Sequence, residues 1–232
     1  MGRKRAIGWR ARIGGGLLLA ALAAGGWAWW QAQHWRPEAS EFPVQGVLVG
    51  SQDGRPDFRG FRAIGADFAY IEASEGAGAR DPAFGRNWRA VRGSGLSFGV
   101  VHLYDACEPA ERQSANFMTI VPREAGLLPP AIALLETAED CPKRVSEQAV
   151  ESELTTFLNQ IEGHAGQPAV LLVSPAFEEA YGIAGKVERN LWLARDWFQP
   201  DYAGRPWTLW TANAHYRNEA SEEPVRWVVL QP

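Results

Sequence analysis

Two acids stand where apolar, strand-like runs give out: Asp105 after VVHLY and Glu136 after AIALL. If neighbouring strand ends carry them, they form a carboxylate pair of the kind that hydrolyses glycosidic bonds. About 5 Å between the two gives retention of configuration, and a wider gap that admits water gives inversion. The aromatic residues suit the same substrate class. Eleven tryptophans include Trp192, Trp207, Trp210 and Trp227 on or beside strand-like runs, where an indole can stack on a pyranose ring or pack the core. His102, next to Asp105, fits an interior hydrogen-bonded imidazole better than a base. Glu75 follows another apolar run, in a loop that offers it backbone donors, and reads as structural ahead of catalytic. His34, His164 and His215 occupy unrelated contexts, and no metal-ligand spacing or phosphate-loop fingerprint is present, so no cofactor is expected. Gly76-Ala77-Gly78 reads as a turn.

Those side chains need elements to hold them. Strands are expected over Val44–Val49, Phe68–Glu72, Ser97–Leu103, Ala131–Leu135, Ala169–Val173, Leu191–Ala194, Trp207–Thr211 and Val225–Leu230. Helices are expected over Asp57–Ile64, Pro82–Arg92, Pro109–Val121, Ser146–His164 and Pro175–Tyr181, several with Pro in the first turn where its missing N–H is harmless. Strand and helix alternate, which predicts a mainly parallel sheet. Eight strands in one α/β domain favour a closed barrel, irregular where the later strands lack helices between them. In such barrels the reacting groups project from the C-terminal strand ends.

The first thirty residues differ from the rest. Arg3, Lys4, Arg5, Arg10 and Arg12 precede an uncharged apolar run from Ile13 to Trp30, the pattern of a membrane-directing segment. A cleaved signal with its site near Ala21-Leu22-Ala23 competes with a retained anchor, and Trp27, Trp29, Trp30 and Trp35 at the interface favour the anchor. Either way the domain is exported, and the basic end stays inside by the positive-inside tendency. The division expected is 1–34 anchor or signal, 35–43 linker and 44–232 barrel. The chain carries −4 overall, and those five basic residues contribute +5, so the remainder carries −9. An acidic domain is a poor polyanion binder, which excludes nucleic acid as a partner. Cys107 and Cys141 are the two cysteines, and export favours a disulfide between them.

The block FAYIEASEG, Phe68 to Gly76, followed by DPAFGRNWRAVRGSGLSFGVVHL, Asp81 to Leu103, resembles glycoside hydrolase family 25. These are N-acetylmuramidases, or lysozymes, with the pattern FAxIKATEG and DPxFxxNWxxAxxAGLxxGxYHF. The resemblance runs over nearly all of Val44 to Pro232 and implies a flattened (β/α) barrel directed at peptidoglycan. Gly46, Asp57, Glu75, Asp81, Asn87, Trp88 and Gly99 fit the pattern as scaffold.

The family's acids fit poorly. GVLVGSQDG, Gly46 to Gly54, stands where the family shows GxDVSxxQG, which puts Leu48 at the Asp and Gly50 at the Ser. On the strand that carries the family's Asp-x-Glu, alignment on the acid places Leu134 and Glu136 in the two positions. Alignment on Pro129-Pro130 places Ala133 and Leu135 there, with Glu136 one residue late and turned to the other face. Arg226 occupies the position of a further Asp, Thr211 that of a Gln, and Val101 that of a Tyr. Leucine can neither donate a proton nor stabilise an oxocarbenium ion.

The expectation is therefore a glycan-binding pseudoenzyme, with Trp210, Trp192 and His102 lining the saccharide site. The alternatives are an active muramidase using Glu136 as general acid with Asp105 as its partner, and a scaffold for a protein partner.

Overall fold

The computed structural model describes residues 9–232. Arg3, Lys4 and Arg5 lie outside the described residues, as do the side chains of Arg10 and Arg12. Two compact units are present, Met1–Trp35 and Arg36–Pro232. The first is the helix α1, Trp9–His34, whose stretch Ile13–His34 is long and apolar enough to cross a membrane.

The second unit is the expected barrel. Its elements are β1 (Gln45–Val49), α2 (Phe58–Ala63), β2 (Phe68–Glu75), β3 (Ala79–Arg80), α3 (Phe84–Arg92), β4 (Ser97–Leu103), α4 (Ala110–Ile120), β5 (Ala131–Leu134), α5 (Glu147–Ala165), β6 (Val170–Val173), α6 (Pro175–Tyr181), α7 (Ile183–Lys186), β7 (Asn190–Ala194), β8 (Leu209–Tyr216) and β9 (Val225–Leu230). The sheet order is β1-β9-β8-β7-β6-β5-β4-β2-β3, and a further β1–β2 pairing closes eight strands into a barrel with β3 as an appendage. Every pairing within the barrel is parallel except the two made by β9. The start of β9 therefore reaches the same mouth as the C-terminal ends of the other seven strands.

Period-two alternation sorts the side chains into two layers. Leu48, Tyr70, Val101, Ala133, Leu172, Trp192 and Val228 belong to the cluster that fills the barrel interior. The alternate positions pack outward under the helices. His102 is one of these, fully buried with its ring against Phe117 of α4 and Phe157 of α5. Helix starts follow their caps: the side chains of Asp57, Ser146 and Ser174 accept from the first-turn N–H groups of α2, α5 and α6. α5 and α6 stop at Gly166 and Gly182, both left-handed.

Residues 36–43, expected as a linker, are bonded to the barrel. The Arg36 guanidinium donates to Ile64 O at 2.7 Å and lies 4.9 Å from the Trp227 ring centroid. Phe42 is buried against Trp207 and Trp210. The Gln45 side-chain amide donates to Pro37 O and Phe42 O and accepts from Trp227 Nε1.

Candidate functional site

At the mouth, the inward positions of β1, β2 and β9 are Gly50, Glu72 and Arg226. The register sets them there: Leu48 pairs with Tyr70 and with Arg226, one step below Gly50. The Arg226 guanidinium forks between two carboxylates, donating to Glu72 Oε1 at 2.5 Å and to Asp53 Oδ2 at 3.0 Å. Asp53 is held from the other side by Gly50 N at 2.6 Å. All three side chains are largely withdrawn from water, with 7% exposure for Asp53, 11% for Glu72 and 20% for Arg226. A Cβ on Gly50 would meet the Glu72 carboxylate, so a larger residue there would require that carboxylate to shift.

The opposite side of the mouth, after β5, β6 and β7, has a different character. β5 pairs with β6 from Ala131 to Leu134 without a register break, and Ala131 and Ala133 face the interior. The parity continues to Leu135, which is 40% exposed at the rim. Ala133 and, by the same parity, Leu135 take the inward positions, and Leu134 is buried on the outer layer. Glu136 comes one position after Leu135 and is exposed. After β7, Trp197 and Phe198 are 46% and 65% exposed.

The remaining candidates are placed as follows. Asp105 is half-buried in the loop after β4, its Oδ1 accepting from Cys107 N. Cys107 and Cys141 form a disulfide that ties this loop to the one after β5, with Cα atoms 5.4 Å apart. Trp192 is fully buried inside the barrel and donates to Thr211 Oγ1. Trp210 is 2% exposed on the outer layer and donates to Arg195 O. Neither indole presents a face to the mouth.

His102 is locked between Ser74 Oγ at Nδ1, 2.8 Å, and Gln113 Oε1 at Nε2, 3.3 Å. The amide oxygen must accept, so Nε2 carries the proton and Nδ1 accepts from the serine. Burial pushes the His102 pKa down from 6.5 to about 4, against the opposing bond to Gln113. A neutral ring away from the mouth is a wall residue. Among the described residues, no three His, Cys, Asp or Glu side chains are grouped as a metal site requires.

The model of glycosyl hydrolases family 25 matches residues 49–220. The chain belongs to this family. The barrel superimposes on that of a family 25 glycosyl hydrolase from Bacillus anthracis with a TM-score of 0.77 at 23% identity, covering 86% of this chain and 93% of that one. A bacterial lysozyme from Streptomyces coelicolor gives 0.72 at 19% identity, over 82% and 92% of the two chains. An uncharacterized protein of Escherichia coli K12, YegX, is 24% identical over 178 residues, 74% of this chain and 63% of the relative. The chain thus spans less than two thirds of the length of the curated relatives it matches.

On the sequence resemblance, Arg226 falls where an Asp is expected, Glu72 where the Lys of FAxIKATEG is, and Gly50 where a Ser is; in the structure Arg226 and Glu72 face each other, with Gly50 beside them. Glu72 is absent from the residues that the sequence singles out, although FAYIEASEG carries an acid where the pattern FAxIKATEG has Lys.

Proposed function

We propose that this family 25 barrel is an extracytoplasmic, peptidoglycan-directed binding domain that does not run the family's two-carboxylate hydrolysis. The observation that carries this reading is Arg226 bridging Glu72 and Asp53. A glycosidase needs one carboxyl group to protonate the leaving oxygen and another to attack, or to stabilise an oxocarbenium-like transition state. On the β1–β2–β9 side both acids are bound to a guanidinium, which occupies their oxygens and offsets part of the negative charge that would stabilise such a transition state. Leu48, Ala133 and Leu135 supply no ionisable group at the other positions. α1 is read as a retained anchor rather than a cleaved signal, supported by Trp27, Trp29 and Trp30 near its C-terminal end.

One observation supports the active alternative. Glu136 is exposed beside the rim, where substrate can reach it, and Asp105 follows the neighbouring strand β4. The test is release of soluble muropeptides from purified peptidoglycan by the full chain, next to a Glu136→Gln control, with co-sedimentation scored in the same tubes. Sedimentation without release is expected. Release abolished by Glu136→Gln would overturn the pseudoenzyme reading, and neither signal would point to a protein partner instead. Mass measurement of the mature N-terminus checks the anchor.

A further inference from the structure

Nearly all large apolar side chains of the barrel unit are covered. Among the described residues from Arg36 onward, the exceptions are Leu135, Trp197 and Phe198. All three lie at one end of the barrel, in the segments that follow β5 and β7 on either side of β6. Scattered exposed apolar residues need no explanation, but their confinement to one rim does.

Trp197 also has the one positive φ outside glycine among the described residues, 65°, a backbone conformation that is costly for a bulky side chain. Three bonds hold it there. Arg195 N donates to Thr211 O at 3.2 Å, Trp197 N donates to Ala212 O at 2.8 Å, and Asp196 Oδ1 accepts from Ala214 N at 2.6 Å. The loop is thus laced to the upper half of β8. Next to it, the Arg195 guanidinium sits 5.9 Å from the Phe198 ring centroid and pairs with Asp201 at 2.9 Å. Strain maintained by surrounding bonds collects at functional positions. A packing role alone would not leave both rings open to water.

We infer that Trp197 and Phe198 form a stacking ledge for the pyranose rings of a β-1,4-linked amino-sugar strand at the C-terminal rim. This rests on the glycan-binding reading and names the residues that would carry it. Pyranose rings present apolar C–H faces that match aromatic faces, while their hydroxyl and acetamido edges stay hydrated. Aromatic side chains turn about only two χ angles, so ordering them on a ligand costs little entropy. The ledge is neutral and therefore indifferent to the barrel's net negative charge.

The test uses the full chain in detergent micelles, with a soluble β-1,4-linked N-acetylglucosamine oligomer as the fluorescence probe and purified sacculi as the sedimentation probe. Trp197→Gly relieves the positive φ, so its melting temperature should hold or rise while affinity for the oligomer falls about tenfold. Phe198→Ser, at a side chain exposed enough not to disturb folding, should weaken binding several-fold, and Trp197→Tyr should keep most of it. Wild-type binding that survives both Trp197→Gly and Phe198→Ser within twofold overturns the ledge and leaves glycan binding standing. A wild type that neither sediments with sacculi nor binds the oligomer overturns the glycan reading and the ledge together.

Discussion

The two sides of the barrel mouth handle polarity in opposite ways. On the β1–β2–β9 side, charged groups fill the space and satisfy one another. On the β5–β6–β7 side the inward positions are apolar or small, and aromatic rings stay open. The contrast teaches that one barrel mouth can divide its chemistry: the charged groups close on one another in an internal network, while the exposed apolar groups collect on the opposite rim.

The strongest way to break the closed side is Arg226→Ala. It strands Asp53 and Glu72 without their cation, and a destabilisation of about 3–5 kcal/mol is expected in denaturant unfolding. A loss below about 1 kcal/mol would mean that water reaches the cluster freely, and the distinction between the two sides would fail. Next in size is the disulfide that joins the loops after β4 and β5. Cys107→Ser with Cys141→Ser opens a link between residues 34 apart, for an expected loss of about 3–4 kcal/mol on the chain-entropy account, measured against the oxidised wild type.

Acid then separates the mouth from the wall behind it. His102 is held neutral by burial, so its stabilisation is complete above its ordinary pKa of 6.5 and is lost as pH falls through about 4. Across that window roughly 3 kcal/mol should disappear, and a His102→Gln variant should show a flatter profile there than the wild type. The smallest effect on stability is expected at the open side. Leu135→Glu should change unfolding by no more than about 0.5 kcal/mol, and it should not by itself produce muropeptide release, because Leu48 and Ala133 still offer no second acid. Release by that single variant would show that a competent partner carboxylate already exists.

The fold was legible because its signals are redundant along the chain. β9, for example, is legible from Val225 to Leu230 as an apolar run rich in β-branched and aromatic residues, and Pro175 marks the first turn of α6. The site was harder for a physical reason. Sequence could not decide whether Leu134 or Leu135 faces inward, since parity shifts with one residue and depends on the absence of a bulge in β5. Nor could it show Glu72 meeting Arg226, which lie 154 positions apart and meet only when β1 is inserted between their strands. Trp210 illustrates a third limit. Its place on a strand-like run suits a stacking surface, yet an outward strand position covered by Phe42 leaves no indole face to the mouth.

That cover has a practical consequence for anyone separating the barrel from α1. The folding unit begins at Arg36, not at the first strand. A fragment cut at Val44 would strip Phe42 from Trp207 and Trp210, remove Arg36 from Trp227, and expose an aromatic seam on the flank of the barrel. Such a fragment should aggregate through that seam while one starting at Arg36 stays dispersed, so eight of the nine residues that read as a spacer serve as the barrel's own solubilising strap.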